Sequence, residues 1–600
     1  MERGIFQGCP ISPYLFLLVI ESMALAIRQN LNIKGIPVGE NDLKISLLAD
    51  DSTCFIDGSQ NSFKSLFDTI GSFSESSGCK LNISKSEAIW IGSLKGSQKF
   101  PFSEKGLKWN KSTFKTLGIH FSLNISNLYD LNHKTKLKSI ENILNCWRVR
   151  NLSLVGKICV IKTLLLPQLL YYFSVLCIKI PKKFFRQINT ILYKFIWSGG
   201  SDRVKRHLLC NDYSLGGLKM IDPYMFSIAQ KMTWVKMLLD DNYQSIWKFI
   251  ELCILDDFSG RKDILWKAHP PACILNKLGS SQLAESLQTW YIFREKIVKD
   301  EFNTAFSAIG SCQCIWFNRS IRSKSKQYFL YEDWLDKGIV FISDLLNPPH
   351  PGYKLFEELI LDYDISKKDR RKYNFLLKNI PKDWFVSSDL TPDKIFEEIK
   401  AKLLKTQKIP KFAYSIIQET CYPERQTVFW SDLQESEEIN WEKVHVNNFL
   451  CTINTRIRSF YFKLFHRAIG LNNFLYKIKR KDSPNCSFCK NAPETYIHIF
   501  VQCPSVQPIW EDTLKAISQK INKPLNVSLF EQMFGFDSDK FLTYLFLLLK
   551  YYVYICKFQN KPPSFKGYKS YVIANKELEY NIAKRNNKLS IHFRKWRFDL

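Results

Sequence analysis

The apolar positions of the first hundred residues change period several times. Ser12-Pro13 predicts a helix start, with serine as N-cap and proline at the first helical position. Leu15, Leu18, Ser22, Met23 and Ala26 then fall near one helical face, so 13–30 reads as a helix. Leu43, Ile45, Leu47 and Ala49 recur at the two-residue period of a strand. Asp50-Asp51 interrupts that strand and Thr53–Ile56 resumes it, which predicts a strand–turn–strand hairpin. Residues 61–78 read as a helix that stops at Gly78, a left-handed C-terminal cap, and Ala88–Ile91 as a further strand.

The remaining chain reads as mostly helical. Residues 126–240 are helical and basic, and 241–440 are helical with breaks such as Asn347-Pro348-Pro349-His350-Pro351, to which no chemistry attaches. Residues 441–510 hold a Cys/His cluster, and 511–600 form a helical basic tail. From Lys557 onward there are 11 Lys and Arg against 3 Asp and Glu, a net of +8. The apolar run Phe541–Cys556 is shorter than a membrane span of about 20 residues and contains Lys550, so it reads as a buried core helix.

Composition narrows the class. Apolar residues make up 46% and aromatics 14% of 600 residues, which excludes a disordered chain, a collagen-like chain and a small disulfide scaffold. The net charge of +28 attracts polyanions, nucleic acid first. Seventeen cysteines, an odd number, and the start MERGIFQGCP, with no basic-then-apolar leader pattern, predict a reducing compartment. The expected location is nucleus and cytoplasm, with no membrane partner.

Two short stretches carry candidate chemistry. Adjacent carboxylates at Asp50 and Asp51 repel by about 4 kcal/mol at about 4 Å and an effective dielectric near 20, and a divalent cation removes that penalty. Hard oxygen ligands on a tight turn suit Mg²⁺. An ordinary solvated turn accounts for the same pair. In Arg3-Gly4-Ile5-Phe6-Gln7-Gly8-Cys9-Pro10-Ile11-Ser12-Pro13, the glycines admit close approach of a ligand, Arg3 suits phosphate and Gln7 a base or sugar. A stiff turn entering a core helix would look the same.

Taken together, the RGxxQGCPxSP loop, its helix and the Ala-Asp-Asp hairpin resemble the palm of a reverse transcriptase. Gly78–Glu87, with Leu81, Asn82, Lys85 and Glu87, is similar to that family's following motif, and Phe114–Ile119 to its primer-gripping hairpin. Phe195-Ile196-Trp197-Ser198-Gly199 with Gly216-Gly217-Leu218 resembles the helical thumb of the LINE-type, non-LTR retrotransposon proteins. The resemblance implies an α+β fold. It has a partial right-hand-polymerase palm at 1–125, a thumb at 126–240, a connector at 241–440, a zinc-binding region at 441–510 and the tail at 511–600. It implies RNA-directed DNA synthesis with two Mg²⁺, an RNA template, a DNA primer or target, and dNTP. Asp50 and Asp51 would be catalytic metal ligands. Arg3, Gln7, Gly8 and Pro10 would shape the nucleotide and template pocket, and Lys85 would lie near the triphosphate. Leu48 departs from the aromatic residue usual before Ala-Asp-Asp. The family's other catalytic aspartate and its fingers lie upstream of the glycine-rich loop, and here the chain starts two residues before Arg3. The expectation is therefore an N-terminally truncated copy with little or no polymerase activity of its own.

Cys486-x2-Cys489-x8-His498-x4-Cys503 has the donors and spacing of a closed, structural zinc site. It resembles the zinc-binding region near the C-terminus of the same family, whose partner is RNA or target DNA. Basic and aromatic residues interleave at Arg456–Lys463 and at His592–Arg597. Each reads either as an amphipathic core helix or as a surface for phosphates and unpaired bases. Two further readings stay open: a non-catalytic nucleic-acid-binding fragment with one structural zinc, and a group II intron-type maturase, which the zinc spacing disfavours. No RNase H set of acids stands out.

Overall fold

The computed structural model describes residues 8–600 except 40, 177, 257–265, 267–277, 279–281, 302–312, 317, 319–320, 322, 324–328, 348–351, 383–391, 422–429, 431–432 and 434–438. Its architecture is mostly helical, with small sheets confined to the N-terminal region. The proline-rich stretch from Pro348 to Pro351 lies outside the described residues.

Helix α1 (Ser12–Gln29) opens the described chain. Three antiparallel hairpins follow the period-two segments: β1 (Ile36–Val38) with β2 (Asn41–Leu43), β3 (Ile45–Leu48) with β4 (Asp51–Cys54), and β7 (Thr113–Thr116) with β8 (Ile119–Ser122). Between them lie α2 (Gln60–Ser77) and the parallel pair β5 (Glu87–Ile89) and β6 (Lys108–Asn110). Helix α2 ends as its sequence predicts, because Gly78 takes φ +74° and donates its N–H to the Ser74 carbonyl.

Three local expectations are corrected. Ile11, not Ser12, is the N-cap of α1; Ser12 already has helical geometry, and no side chain caps the end. The face of α1 that packs is Ile20, Met23, Ala24 and Ile27, while Leu15 is exposed and Leu18 is 71% exposed. The spacing of the packed four is as helical as that of the predicted five, which shares only Met23 with it, and packing chose between them: Ile45 of β3 and Leu66 of α2 cover the packed four. Finally, Asp51 belongs to the second strand, because Leu48 pairs with Asp51 across a two-residue turn of Ala49 and Asp50.

The next region is built from α3 (Thr135–Arg148), α4 (Leu154–Val160), α5 (Leu166–Val175), α6 (Lys182–Ile196) and α7 (Pro223–Leu239). Helix α6 is strongly amphipathic: Phe184, Phe185, Ile188, Leu192 and Phe195 enter the core, and Lys182, Lys183, Arg186 and Lys194 stay in solvent. Helices α8 (Gln282–Glu301) and α9 (Ile409–Cys421) pack on α7.

The C-terminal region assembles α10 (Trp441–Leu450), α11 (Thr455–Phe465), α12 (Asn472–Lys477), α13 (Gln507–Ile521), α14 (Lys540–Phe558), α15 (Phe565–Arg585) and α16 (Leu589–Lys595). Helices α10 and α11 join two cores. Phe449 and Phe462 enter the α3–α6 core, and Ile457, Phe460 and Tyr461 enter the C-terminal one. The Gly216-Gly217 pair completes this junction. His466 Nε2 lies 2.7 Å from the Gly216 carbonyl, and a Cβ on Gly217 would collide with the Asn211 carbonyl.

Among the described residues, two helical stretches, Leu154–Val175 and Lys540–Phe558, are long and apolar enough to cross a membrane. The second, α14, is the spine of the C-terminal core, with every residue from Phe541 to Lys550 buried. Lys550 is 1% exposed, pairs with no carboxylate among the described residues, and donates 2.6 Å to the Gln532 carbonyl. Burial lowers its ammonium to about 7. Between that value and the ordinary lysine range, the unfolded chain holds a proton that the folded chain lacks. Stability is therefore expected to rise as pH climbs from about 7 toward 10, at about 1.4 kcal/mol per unit. Denaturant titrations across that range check this, and Lys550→Met should remove the contribution and raise stability at pH 7.

Candidate catalytic hairpin and metal centre

The β3–β4 turn presents the paired acids. Ala49 takes φ +52°, the left-handed conformation that a two-residue hairpin demands at its first central position. The Cβ of Ala49 makes this conformation cost about 1–2 kcal/mol, and the turn places Asp50 at the tip and Asp51 at the start of β4, both exposed. Beside them runs an open groove of about 510 Å³, lined by Tyr14, Leu17, Leu18, Glu21, Leu47 and Ala49. One wall is thus the helix that follows the glycine-rich loop, and the other is the acid-bearing hairpin. Leu48 is largely exposed at the same end.

The other predicted substrate residues are distributed as follows. Arg3 and Gln7 lie outside the described residues. Gly8 (φ +94°) and Pro10 are exposed ahead of α1, and Ser12 N–H donates to the Cys9 carbonyl at 3.2 Å. Lys85 is exposed on a 3-10 turn, Ile83–Lys85, capped by the Asn82 side chain. No ion pair joins it to Asp50 or Asp51. Among the described residues, no third acid or metal ligand gathers around Asp50 and Asp51.

The Phe114–Ile119 segment is a hairpin whose turn, Leu117-Gly118, has both residues at positive φ (+48° and +78°). Three side chains from the helical region hold it, and nothing in the residue pattern marks them in advance. Asn132 accepts from His120 N–H at 2.9 Å and donates to the His120 carbonyl at 2.7 Å, pairing with β8 like an added strand residue. Tyr171 donates to the Leu117 carbonyl, and Tyr172 to the Gly118 carbonyl at 3.4 Å.

The four zinc-type donors come together. The ligating atoms of Cys486, Cys489, His498 and Cys503 all lie within 4.8 Å of one another. Cys486 Sγ and Cys503 Sγ are 3.7 Å apart, and a tetrahedron with Zn–S bonds of about 2.3 Å has an edge of about 3.8 Å. Cys489 Sγ sits 3.3 Å from His498 Nε2. The Cys-x2-Cys turn folds back through Lys490 N–H to the Cys486 carbonyl, with Lys490 at φ +63°, and Phe488 N–H points at Cys486 Sγ. A π-helical turn, His498–Gln502, returns the last two donors. Burial pushes the Cys486 thiol up to about 12. Desolvation also acts on Cys489, but N–H groups of Asn491 and Ala492 and the His498 ring outweigh it and lower that thiol to about 6. Three sulfurs and one imidazole form a closed donor set that fits structural zinc.

The sequence reading missed the buried acid that orients this loop. Glu494 has no exposed surface. It accepts from Ser487 N–H at 2.8 Å, Ser487 Oγ at 2.6 Å and Asn472 N–H at 2.7 Å, and it pairs with Lys557 of α14. Its one prior clue is position, between Cys489 and His498.

The basic-aromatic segments resolve differently. In Arg456–Lys463 the aromatics are core, and Arg458 packs over Phe449 while donating to the Thr452 carbonyl at 2.7 Å. In His592–Arg597, Lys595 and Trp596 bind Glu579 and Arg597 binds Asp539, leaving Phe593 and Arg594 exposed.

Residues 1–121 match the family described as reverse transcriptase (RNA-dependent DNA polymerase), and residues 426–510 match zinc-binding in reverse transcriptase. The chain carries reverse-transcriptase sequence of the non-LTR retrotransposon type. It is similar to the transposon TX1 uncharacterized 149 kDa protein of Xenopus laevis, 26% identical over 33% of this chain and 15% of that protein. It is also similar to the retrovirus-related Pol polyprotein from type-1 retrotransposable element R2 of Popillia japonica, 24% identical over 28% of this chain and 24% of that one. The matches thus span 15% and 24% of the length of these curated relatives. The reverse-transcriptase match contains the Asp50-Asp51 turn and nearly all of the 113–122 hairpin, and the zinc-binding match contains all four donors.

Two outcomes are expected. The purified chain binds one zinc per molecule by metal analysis, and Cys503→Ser or chelation lowers the melting temperature of the C-terminal region; zero or two equivalents would contradict the four-ligand site. Asn132→Ala leaves the His120 N–H and C=O of the reverse-transcriptase segment without their partner, a loss of about 1–3 kcal/mol. It should speed hydrogen exchange at residues 113–122.

Proposed function

We propose that residues 1–125 form part of the palm of an RNA-directed DNA polymerase, with 126–240 as its thumb, 241–440 as a connector, 441–510 as a zinc-bearing region and 511–600 as a basic tail. The observation that carries this reading is the exposed acid pair at the tight turn of a hairpin whose Leu47 and Ala49 line an open groove against the helix that follows Gly8-Cys9-Pro10. Asp50 and Asp51 are the carboxylates that would hold Mg²⁺. Bound there, the metal would supply activation of a primer 3′-hydroxyl and charge neutralisation on the departing pyrophosphate.

The protein's own groups have separate tasks. Arg3, Gln7, Gly8 and Pro10 shape the side of the pocket that takes nucleotide and template. Lys85 offers a cation to the triphosphate. The 113–122 hairpin, fixed by Asn132, Tyr171 and Tyr172, positions the primer end. The partners are an RNA template, a DNA primer or target and dNTP, in nucleus and cytoplasm.

Two acids are half of a two-metal cage. With no third ligand collected beside them among the described residues, the 600-residue chain by itself is proposed to bind primer–template without extending it efficiently. The second reading is a nucleic-acid-binding chain without catalysis. Primer extension on an RNA template with dNTP and Mg²⁺, run beside Mn²⁺ binding followed by electron paramagnetic resonance, separates them. Mn²⁺ binding lost in Asp50→Ala supports the metal role, and no Mn²⁺ binding favours the second reading. Robust extension abolished by Asp50→Ala would overturn the incomplete cage.

A further inference from the structure

A short unit protrudes between α11 and the zinc loop. Helix α12 ends in a tight reversal: Lys479 takes φ +56° and donates its N–H to the Tyr476 carbonyl at 2.9 Å, and Arg480 N–H donates to the Leu475 carbonyl at 2.8 Å. The reversal folds residues 478–481 back against the helix. It leaves Phe474 56%, Tyr476 47% and Ile478 44% exposed, and Lys477, Lys479, Arg480 and Lys481 also in solvent. Phe474, Lys477 and Ile478 share one helical face by their spacing.

These groups have no visible structural duty. Among the described residues, none of the four cations makes an ion pair, and neither ring stacks on another ring. Asp482 is the one acid in the stretch from Asn472 to Cys486.

The base of the unit is rigid. Asn472 donates its N–H to Glu494, and its side-chain amide donates to the Asn485 carbonyl at 2.7 Å and to Ser487 Oγ at 3.1 Å. The exposed rings and cations are thereby fixed to the zinc loop. Neither basic-aromatic segment noted from the sequence combines free rings with free cations to this degree.

We propose that Phe474 and Tyr476, two positions apart and so on opposite sides of α12, each flanked by cations from Lys477, Lys479, Arg480 and Lys481, form a landing platform for single-stranded nucleic acid in which each ring takes its own base. The proposal rests on the nucleic-acid reading above and adds the surface and the form of the strand. Exposed rings gain by stacking on base faces, which a duplex keeps covered by its own stacking, while the cations take the phosphates between those bases. A duplex offers this surface only its phosphates.

The test uses the full zinc-loaded chain and fluorescence anisotropy with labelled oligouridylate, oligothymidylate and a blunt DNA duplex of equal length. The Phe474→Ala/Tyr476→Ala variant is expected to weaken single-strand binding by about tenfold or more, with duplex affinity, zinc content and melting temperature unchanged. Tyr476→Phe should retain single-strand binding. Replacing the four cations by Gln should flatten the salt dependence, by up to about 0.7 in log–log slope for each phosphate that is no longer neutralised. A loss confined to the RNA or the DNA strand supports the platform and identifies its source. An equal loss on duplex, a loss of zinc with the rings, or unchanged single-strand binding by the ring variant overturns the platform alone. A wild-type chain that binds none of the three probes overturns the nucleic-acid reading as well.

Discussion

The zinc loop is tied to α14 by one buried contact, the pairing of Glu494 with Lys557. A carboxylate with no exposed surface survives there because its acceptor directions are used by Ser487, Asn472 and the ammonium of α14. Burial pulls the lysine down while Glu494 raises it, and Glu494 itself is held below the ordinary carboxylate range by those donors despite its desolvation. Removing either partner would strand a charge in an apolar interior. The pair lashes a small loop, too short to have its own core, onto the apolar spine Phe541–Lys550. The metal donors, the α12 reversal and the platform residues inherit their positions from it.

The N-terminal region obeys a different constraint. Its hairpins are short and two-stranded, so their placement comes from side chains that borrow backbone partners elsewhere. Lys44 is buried and donates to the Arg28 and Asn30 carbonyls at 3.0 and 2.9 Å, closing the C-terminal end of α1 against the sheet. Asn132 and the Tyr171–Tyr172 pair do the same for the 113–122 hairpin. The acid-bearing turn needs no such help, because Ala49 and Asp50 are the whole loop and the strand register fixes both carboxylates.

The two basic-aromatic segments near the C-terminus show how one pattern divides under packing. Arg456–Lys463 spends its rings on two cores at once and has none left for a ligand. His592–Arg597 spends two of its cations on Glu579 and Asp539. Phe474 to Lys481, less conspicuous as sequence, keeps both kinds of group free because α12 is too short to bury more than one face against the zinc loop.

The chain's own order of residues settled what depends on neighbours within a few positions. The turn at Asp50, the stop of α2 at Gly78, the core character of Phe541–Cys556 and the four zinc donors were all legible, because turn chemistry, helix caps, period and ligand spacing are local, and the hairpin over Phe114–Ile119 was expected from the family resemblance. Tertiary structure alone decided which stripe of α1 packs, that Glu494 and Lys557 meet across 63 positions of chain, and that Asn132 completes a hairpin it does not belong to. Those choices compare burial of one surface with burial of another, and that comparison exists only once distant segments are in contact.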